Sequence, residues 1–312
     1  MTPAPYDGRA PDASGLPRQN LLDSPALERL AYLRERRWIR YPRAEAALTR
    51  LEILFADVPG SHRPQVLLIT GPTNNGKSMI IERFRRAHPA GPSEDGEHEV
   101  IPVLVVQMPT GPAIRRLYGA ILSALNAPVS PFGTIERAER LALTILPKVE
   151  TRMIVIDELH NMLAGSWRQQ REFLNLIRFL GNTLRIPIVA LGTKEAQIAL
   201  RSDDQIENRF EPLILPRWRD DHDFARLLAS YEASLPLRNP GALAGDAALR
   251  RRVLERTGGL IGEIDALITA AARVALLVGR ESIDQAALEA ADYKGPEERR
   301  ALFDAALRQG GR

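Results

Sequence analysis

A chain of 312 residues, 45% hydrophobic and 26% charged, can bury one large core or two modest ones and has the balance of a soluble globular protein. It has no cysteine, which excludes disulfides, thiol catalysis and cysteine-held metal, and no apolar run of about eighteen residues able to cross a membrane. A formal net charge of +3 is too small to argue for nucleic acid by itself, and without a secretory apolar region the expected location is the cytoplasm.

Residues 1–21 are rich in Pro, Gly, Ala and Asp without apolar periodicity and read as a flexible tail. Ser24 as N-cap and Pro25 at the first helical position signal the start of a helix, and Ala47, Leu48, Leu51 and Leu54 stripe a second one over 42–55. A strand is expected at 65–70, a helix from Lys77 to about His88, and a solvated acidic turn at 92–99. The continuous apolar run 100–107 predicts a strand buried on both faces. Helices over 112–126 and 134–146 lead to a third strand, Arg152 to Glu158, and a helix over 167–183 to a fourth, 186–191. A short helix over 195–200 precedes a fifth strand at 213–215. Strands alternating with helices predict an α/β fold on a parallel five-stranded sheet. From 217 only helical periodicity remains, over 220–234, 246–256, 261–278, 283–292 and 296–308. The expected division is a tail (1–21), an α/β nucleotide-binding domain (22–216), a small all-helical domain (217–293) and a helical C-terminal tail (294–312).

Gly71-Pro72-Thr73-Asn74-Asn75-Gly76-Lys77-Ser78, directly after the first strand, has the phosphate-loop pattern. The glycines let the backbone curl so that successive N–H groups face phosphate oxygens. Lys77 is placed to reach the β- and γ-phosphates, and the Ser78 hydroxyl to ligate Mg2+. A chance match is disfavoured because the chain has only four lysines (77, 148, 194 and 294). The cofactor-binding set runs from Gly71 to Met79. Asp157 and Glu158, ending the third strand 80 residues after Lys77, fit the Walker B arrangement. Asp157 would hold Mg2+, and Glu158 would orient and deprotonate water. Thr193 follows the fourth strand, where a polar side chain can meet the γ-phosphate, although a loop threonine also simply turns a chain. Arg209, before the fifth strand, is the candidate finger toward a neighbour's nucleotide, with Arg201 the alternative. No histidine pair has metal-ligand spacing, and Trp218 and Phe210 read as core or subdomain-junction residues rather than stacking platforms.

These motifs resemble an AAA+ P-loop ATPase with a helical lid, and more narrowly the TniB family of transposition ATPases, which is similar to TnsC. The resembling segments are Ile39 to Pro42, the phosphate loop, Gln107 to Pro109, Ile156 to Asn161, Gly181 to Leu184, Leu191 to Ala196, Arg209 to Pro212 and Leu215 to Trp218, within roughly 22–280. The resemblance implies ATP and Mg2+ as cofactors, a bacterial protein and a homo-oligomeric ring or filament on double-stranded DNA. It implies a TniA-like DDE transposase and a TniQ-like targeting protein as partners. It places Ile39, Tyr41 and Pro42 at the adenine. Arg115 and Arg116, with Thr134 and Lys194, would face DNA phosphates and give salt-sensitive binding of low sequence specificity. One departure stands out. Thr257 to Glu263 lacks the arginine that many AAA+ lids place there, Arg256 being the nearest, so slow hydrolysis with nucleotide as an assembly switch is expected. A helicase-loader or replication-initiator ATPase shares the core, as does a signalling ATPase that ignores DNA.

Overall fold

The computed structural model describes residues 18–35, 37–56, 64, 66–128, 133–200, 210–239 and 241–310. Helices α1 (Arg18–Asp23), α2 (Ala26–Tyr32) and α3 (Pro42–Ala56) precede β1 (Val66–Thr70) and α4 (Lys77–Ala87). A short hairpin, β2 (Gly91–Pro92) and β3 (Glu99–Val100), leads to β4 (Val103–Gln107), α5 (Ile114–Ala124) and α6 (Ile135–Lys148). Next come β5 (Met153–Asp157), a 3-10 helix (Leu159–Ala164), α7 (Trp167–Leu184), β6 (Ile188–Gly192), α8 (Lys194–Leu200) and β7 (Phe210–Ile214). The remainder is helical: α9 (His222–Ser234), α10 (Ala247–Thr257), α11 (Ile261–Leu277), α12 (Gln285–Ala290) and α13 (Pro296–Gly310). The described residues form two compact units. Unit 1 takes those within Ala46–Thr73 and Lys77–Leu215; unit 2 takes those up to Glu45, Asn74–Gly76 and those from Pro216 onward.

Unit 1 is a five-stranded sheet in the order β4-β5-β6-β1-β7, every pairing parallel. β1 and β6 are buried at every position, as strands covered by helices on both faces must be. Val66 and Leu68 join a core with Leu117, Ile121, Phe173 and Ile177. Thr70 lies level with Gly192, and Gln107 with Asp157, so β1, β5 and β6 all end at one edge of the sheet. In open parallel sheets this carboxyl edge is where ligands bind, because the loops that follow the strands converge there.

Several boundaries differ from the sequence expectation for physical reasons. Helix α1 begins inside the stretch read as a tail. Pro25, not Ser24, occupies the N-cap position of α2, and no side chain caps it. The run expected as one strand over 100–107 breaks at Pro102. Proline has no N–H to give a ladder, and its carbonyl accepts instead from the Arg152 and Met153 amides (2.9 and 3.1 Å). The acidic turn is closed by the β2–β3 pairing. Strand β7 starts at Phe210 and includes Pro212, which an edge strand paired only to β1 tolerates.

Unit 2 is built on α11, whose Ile264, Leu267, Ile268, Ala271, Ala272 and Ala275 are all buried. Helix α9 contributes buried Phe224, Leu227, Leu228 and Tyr231. Polar links also hold the unit. Buried Arg29 of α2 forks onto Glu281 with two 2.7 Å bonds and donates to the Pro236 carbonyl at 3.1 Å. Trp218 is buried, with Arg43 over its ring at 4.2 Å and Tyr41 edge-on at 5.5 Å. No described helix is long and apolar enough to cross a membrane.

Candidate nucleotide site

In unit 1 the chain leaves β1 at Thr70, whose hydroxyl donates to Gln197 Oε1 at 3.2 Å, and the Gly71 amide donates to the Gly192 carbonyl. The loop ends as α4 begins at Lys77. Lys77 is buried and its Nζ donates to the Gly71 and Pro72 carbonyls, both at 2.8 Å, which folds the ammonium back over the loop. Burial lowers the Lys77 pKa, while the Glu158 and Asp157 carboxylates oppose that shift. Ser78 Oγ donates to Asp157 Oδ2 at 2.8 Å, which joins the start of α4 to the end of β5. A hydroxyl and a carboxylate oxygen this close are a hard-oxygen pair suited to Mg2+, so the donor set fits that ion.

Glu158 follows at φ 61°, ψ 37°, a left-handed conformation uncommon outside glycine, as the N-cap of the 3-10 helix. Its side chain meets His160 Nε2 at 3.0 Å, and its carbonyl accepts from the Asn161 amide at 2.9 Å. Asn161 Nδ2 donates to the Met108 carbonyl at 3.1 Å and fixes the turn against the end of β4. The His160 contact was not legible in the sequence, since a residue two places on meets its neighbour only through this tight turn. Thr193 is half-buried, and its hydroxyl bonds the Glu195 carboxylate, the leading cause that holds the Glu195 pKa down.

In unit 2 the loop tip, Asn74 to Gly76, is held by polar contacts. Asn74 has φ 61° and Gly76 φ 84°. Asn75 is buried, accepts from the Ile261 amide through Oδ1 (3.4 Å) and donates to the Pro216 carbonyl through Nδ2 (3.2 Å). The Asn74 carbonyl accepts from the Gly262 amide at 3.1 Å, and Asn74 Nδ2 donates to Glu263 Oε1 at 3.2 Å. Ile39 and Tyr41 are buried and Pro42 is half-buried. Tyr41 stacks on Trp38 at 6.4 Å, and a Cβ on Gly76 would stand 3.0 Å from Tyr41 Oη. Burial pushes the Tyr41 hydroxyl up to about 12, so it stays protonated. Arg256, the nearest candidate for the absent lid arginine, gives its guanidinium to the carbonyls of Leu288 and Tyr293.

The other expected site residues divide. Pro72 is half-buried, while Thr73 within the loop and Met79 just after it are exposed. Arg115 and Arg116 are exposed in the first turn of α5, Arg116 donating to the Thr110 carbonyl at 3.3 Å. Lys194 is exposed at the start of α8. The Thr134 hydroxyl caps α6 by accepting from the Arg137 amide at 3.3 Å. Arg201 and Arg209 lie outside the described residues. Trp218 and Phe210 are buried, as expected of core residues.

A parallel sheet with the phosphate loop after its β1 strand, Asp-Glu at the end of β5 and a helical C-terminal region defines an AAA+ P-loop ATPase fold. The same fold occurs in the ORC2 protein of Aeropyrum pernix, solved as ADPNP-ADP complexes. It is 14% identical, with 82% of this chain and 69% of that chain covered and a TM-score of 0.58. The A. pernix ORC1 protein, solved in complex with DNA, is 18% identical over 84% of this chain and 67% of that chain, TM-score 0.57. CDC6P of Pyrobaculum aerophilum is 15% identical over 81% and 67%, TM-score 0.55. The family described as bacterial TniB protein matches residues 29–220, and this chain belongs to that family. No curated protein matches the chain.

Proposed function

We propose that this protein is an ATP-driven regulator of DNA transposition, which assembles with other copies on double-stranded DNA when ATP is bound and engages a DDE transposase. The observation that carries the nucleotide half is the 2.8 Å pairing of Ser78 with Asp157 beside the folded-back Lys77. Membership of the TniB family supports the transposition half. The DNA-bound ORC1 relative supports a fold compatible with DNA, and the nucleotide-bound ORC2 relative one compatible with ATP.

In this reading the backbone N–H groups of Gly71 to Ser78, with the positive end of α4, bind the phosphates. Lys77 leaves the Gly71 and Pro72 carbonyls for the β- and γ-phosphate oxygens. Mg2+, held through Ser78 and Asp157, supplies charge neutralisation at those oxygens when bound. Glu158 releases His160 and accepts the proton of the attacking water as the γ-phosphorus gains that oxygen and loses its bond to ADP. Thr193 lies in the loop after β6 and would orient that water, once released from Glu195. As the family resemblance implies, Ile39, Tyr41 and Pro42 would serve the adenine, and Met79 follows the loop in α4. Arg209, by its place in the sequence, would serve as the finger toward the nucleotide of a neighbouring copy, which would make the interface depend on the γ-phosphate. Arg115, Arg116, Thr134 and Lys194 present donors to DNA phosphates. A TniQ-like protein would supply targeting.

Glu158→Gln keeps the loop and removes the base. The expected result is retained ATP binding, hydrolysis reduced about a thousandfold, and DNA-bound rings or filaments that persist in negative-stain images. Rapid disassembly of that variant would contradict the scheme.

A further inference from the structure

Helix α11 begins without a cap of its own. Its N-cap residue is Leu260, whose side chain has no oxygen, yet the first N–H groups of a helix need acceptors. The phosphate loop supplies them. The Ile261 amide goes to Asn75 Oδ1 (3.4 Å) and the Gly262 amide to the Asn74 carbonyl (3.1 Å). Gly262 is what permits this approach, because a Cβ there would stand 2.0 Å from Asn74 Oδ1. The third residue of the helix, Glu263, accepts from Asn74 Nδ2 (3.2 Å) and is itself buried.

A buried carboxylate needs compensation, and the C-terminal segment provides it. Tyr293 Oη donates to Glu263 Oε2 at 2.7 Å. Arg299 of α13 forks onto both oxygens, at 2.7 Å to Oε1 and 3.2 Å to Oε2. Arg299 itself is half exposed. A chain of contacts therefore runs from α13 through Glu263 to Asn74, a non-glycine residue held at positive φ in the middle of the loop. None of Glu263, Tyr293 and Arg299 falls within the family-matched span.

We propose that Glu263 is a positioning residue for the phosphate loop, and that Arg299 lets the C-terminal helix set the loop's affinity for nucleoside triphosphate. This rests on the nucleotide reading of the loop. With Arg299 and Tyr293 in place, the Glu263 carboxylate stays fixed and pins Asn74. Without Arg299 it turns toward water, Asn74 loses its acceptor, and the tip samples conformations that bind phosphate less well.

The test is a titration of the full chain with a fluorescent ATP analogue, together with steady-state hydrolysis. Arg299→Ala is expected to weaken binding about fivefold to tenfold, with KM raised in step and kcat within about twofold. Asn74→Ala, Glu263→Ala and the double variant should be non-additive, the double no weaker than the worse single. Because Arg299 is half exposed, its variant should keep the wild-type melting temperature within a few degrees. Wild-type affinity in Arg299→Ala, or strict additivity in the cycle, would overturn the inference while leaving the nucleotide site intact. A wild-type chain that binds no analogue, with Lys77→Ala indistinguishable from it, would overturn the nucleotide reading and this inference together.

Discussion

The two units treat the same eight-residue loop differently. Its ends, Gly71 to Thr73 and Lys77 to Ser78, belong to a unit organised by buried apolar strands, where polar groups gather at the carboxyl edge. Its tip, Asn74 to Gly76, belongs to a helical unit whose polar links use buried or half-buried carboxylates, such as Glu281 with Arg29 and Glu263 with Arg299. In the proposed reading the ends supply the Lys77 ammonium and the Ser78 hydroxyl, which bonds the Asp157 carboxylate at the end of β5. The tip carries amides that satisfy a helix. In that proposed reading, chemistry and conformational control fall to adjacent residues of one motif.

Changes at the ends should alter chemistry or binding outright, and changes at the tip should grade it. Lys77→Ala removes the only charge on the loop and should weaken ATP binding about a hundredfold or more, read by the same fluorescent titration. A loss below about threefold would mean the loop binds phosphate through its backbone alone. Gly262→Val forces a side chain onto Asn74 and should destabilise the protein by about 1–3 kcal/mol, read as a lower urea midpoint, and weaken nucleotide binding with it. An unchanged midpoint would show that the tip separates freely from α11. The smallest effect is one of pH. Burial raises the Glu263 pKa, but Arg299, Tyr293 and Asn74 outweigh it and leave the group below its ordinary value of 4.5. A depressed carboxylate contributes fully above its unfolded pKa and loses that contribution as pH falls through the lower folded value. Urea melts from pH 6 to pH 3 should therefore show an acid-side loss of stability that Glu263→Gln reduces.

The same contrast explains what the sequence reveals. The strands of unit 1 are legible because Leu67 to Ile69, Val103 to Val106 and Ile154 to Ile156 are apolar without interruption; β1 and β5 are buried through these runs, whereas β4, at the sheet edge, leaves Val105 only half-buried. The Gly71–Ser78 loop and Asp157-Glu158 stand out in the sequence as residue types at fixed spacing, and the structure brings Ser78 to Asp157. The Glu158–His160 pair, the Thr193–Glu195 bond and the Asn74–Glu263 contact are not, because each depends on backbone direction or on residues brought together across 189 positions. Thr134 shows a role that the motif reading did not give: before an apolar helix its hydroxyl oxygen accepts from the Arg137 amide as a cap. Pro102 and Pro212 mark where apolarity alone misplaces a boundary, since the missing N–H shortens one strand and is harmless at the edge of another.

The most direct test of the account is equilibrium binding of the full chain to a random-sequence duplex with ATP, with ADP and without nucleotide, at fixed salt. Cooperative binding with ATP, and markedly weaker binding with ADP or none, is the predicted result. Equal binding in all three states would contradict nucleotide control of assembly, and no binding in any state would remove DNA from the account.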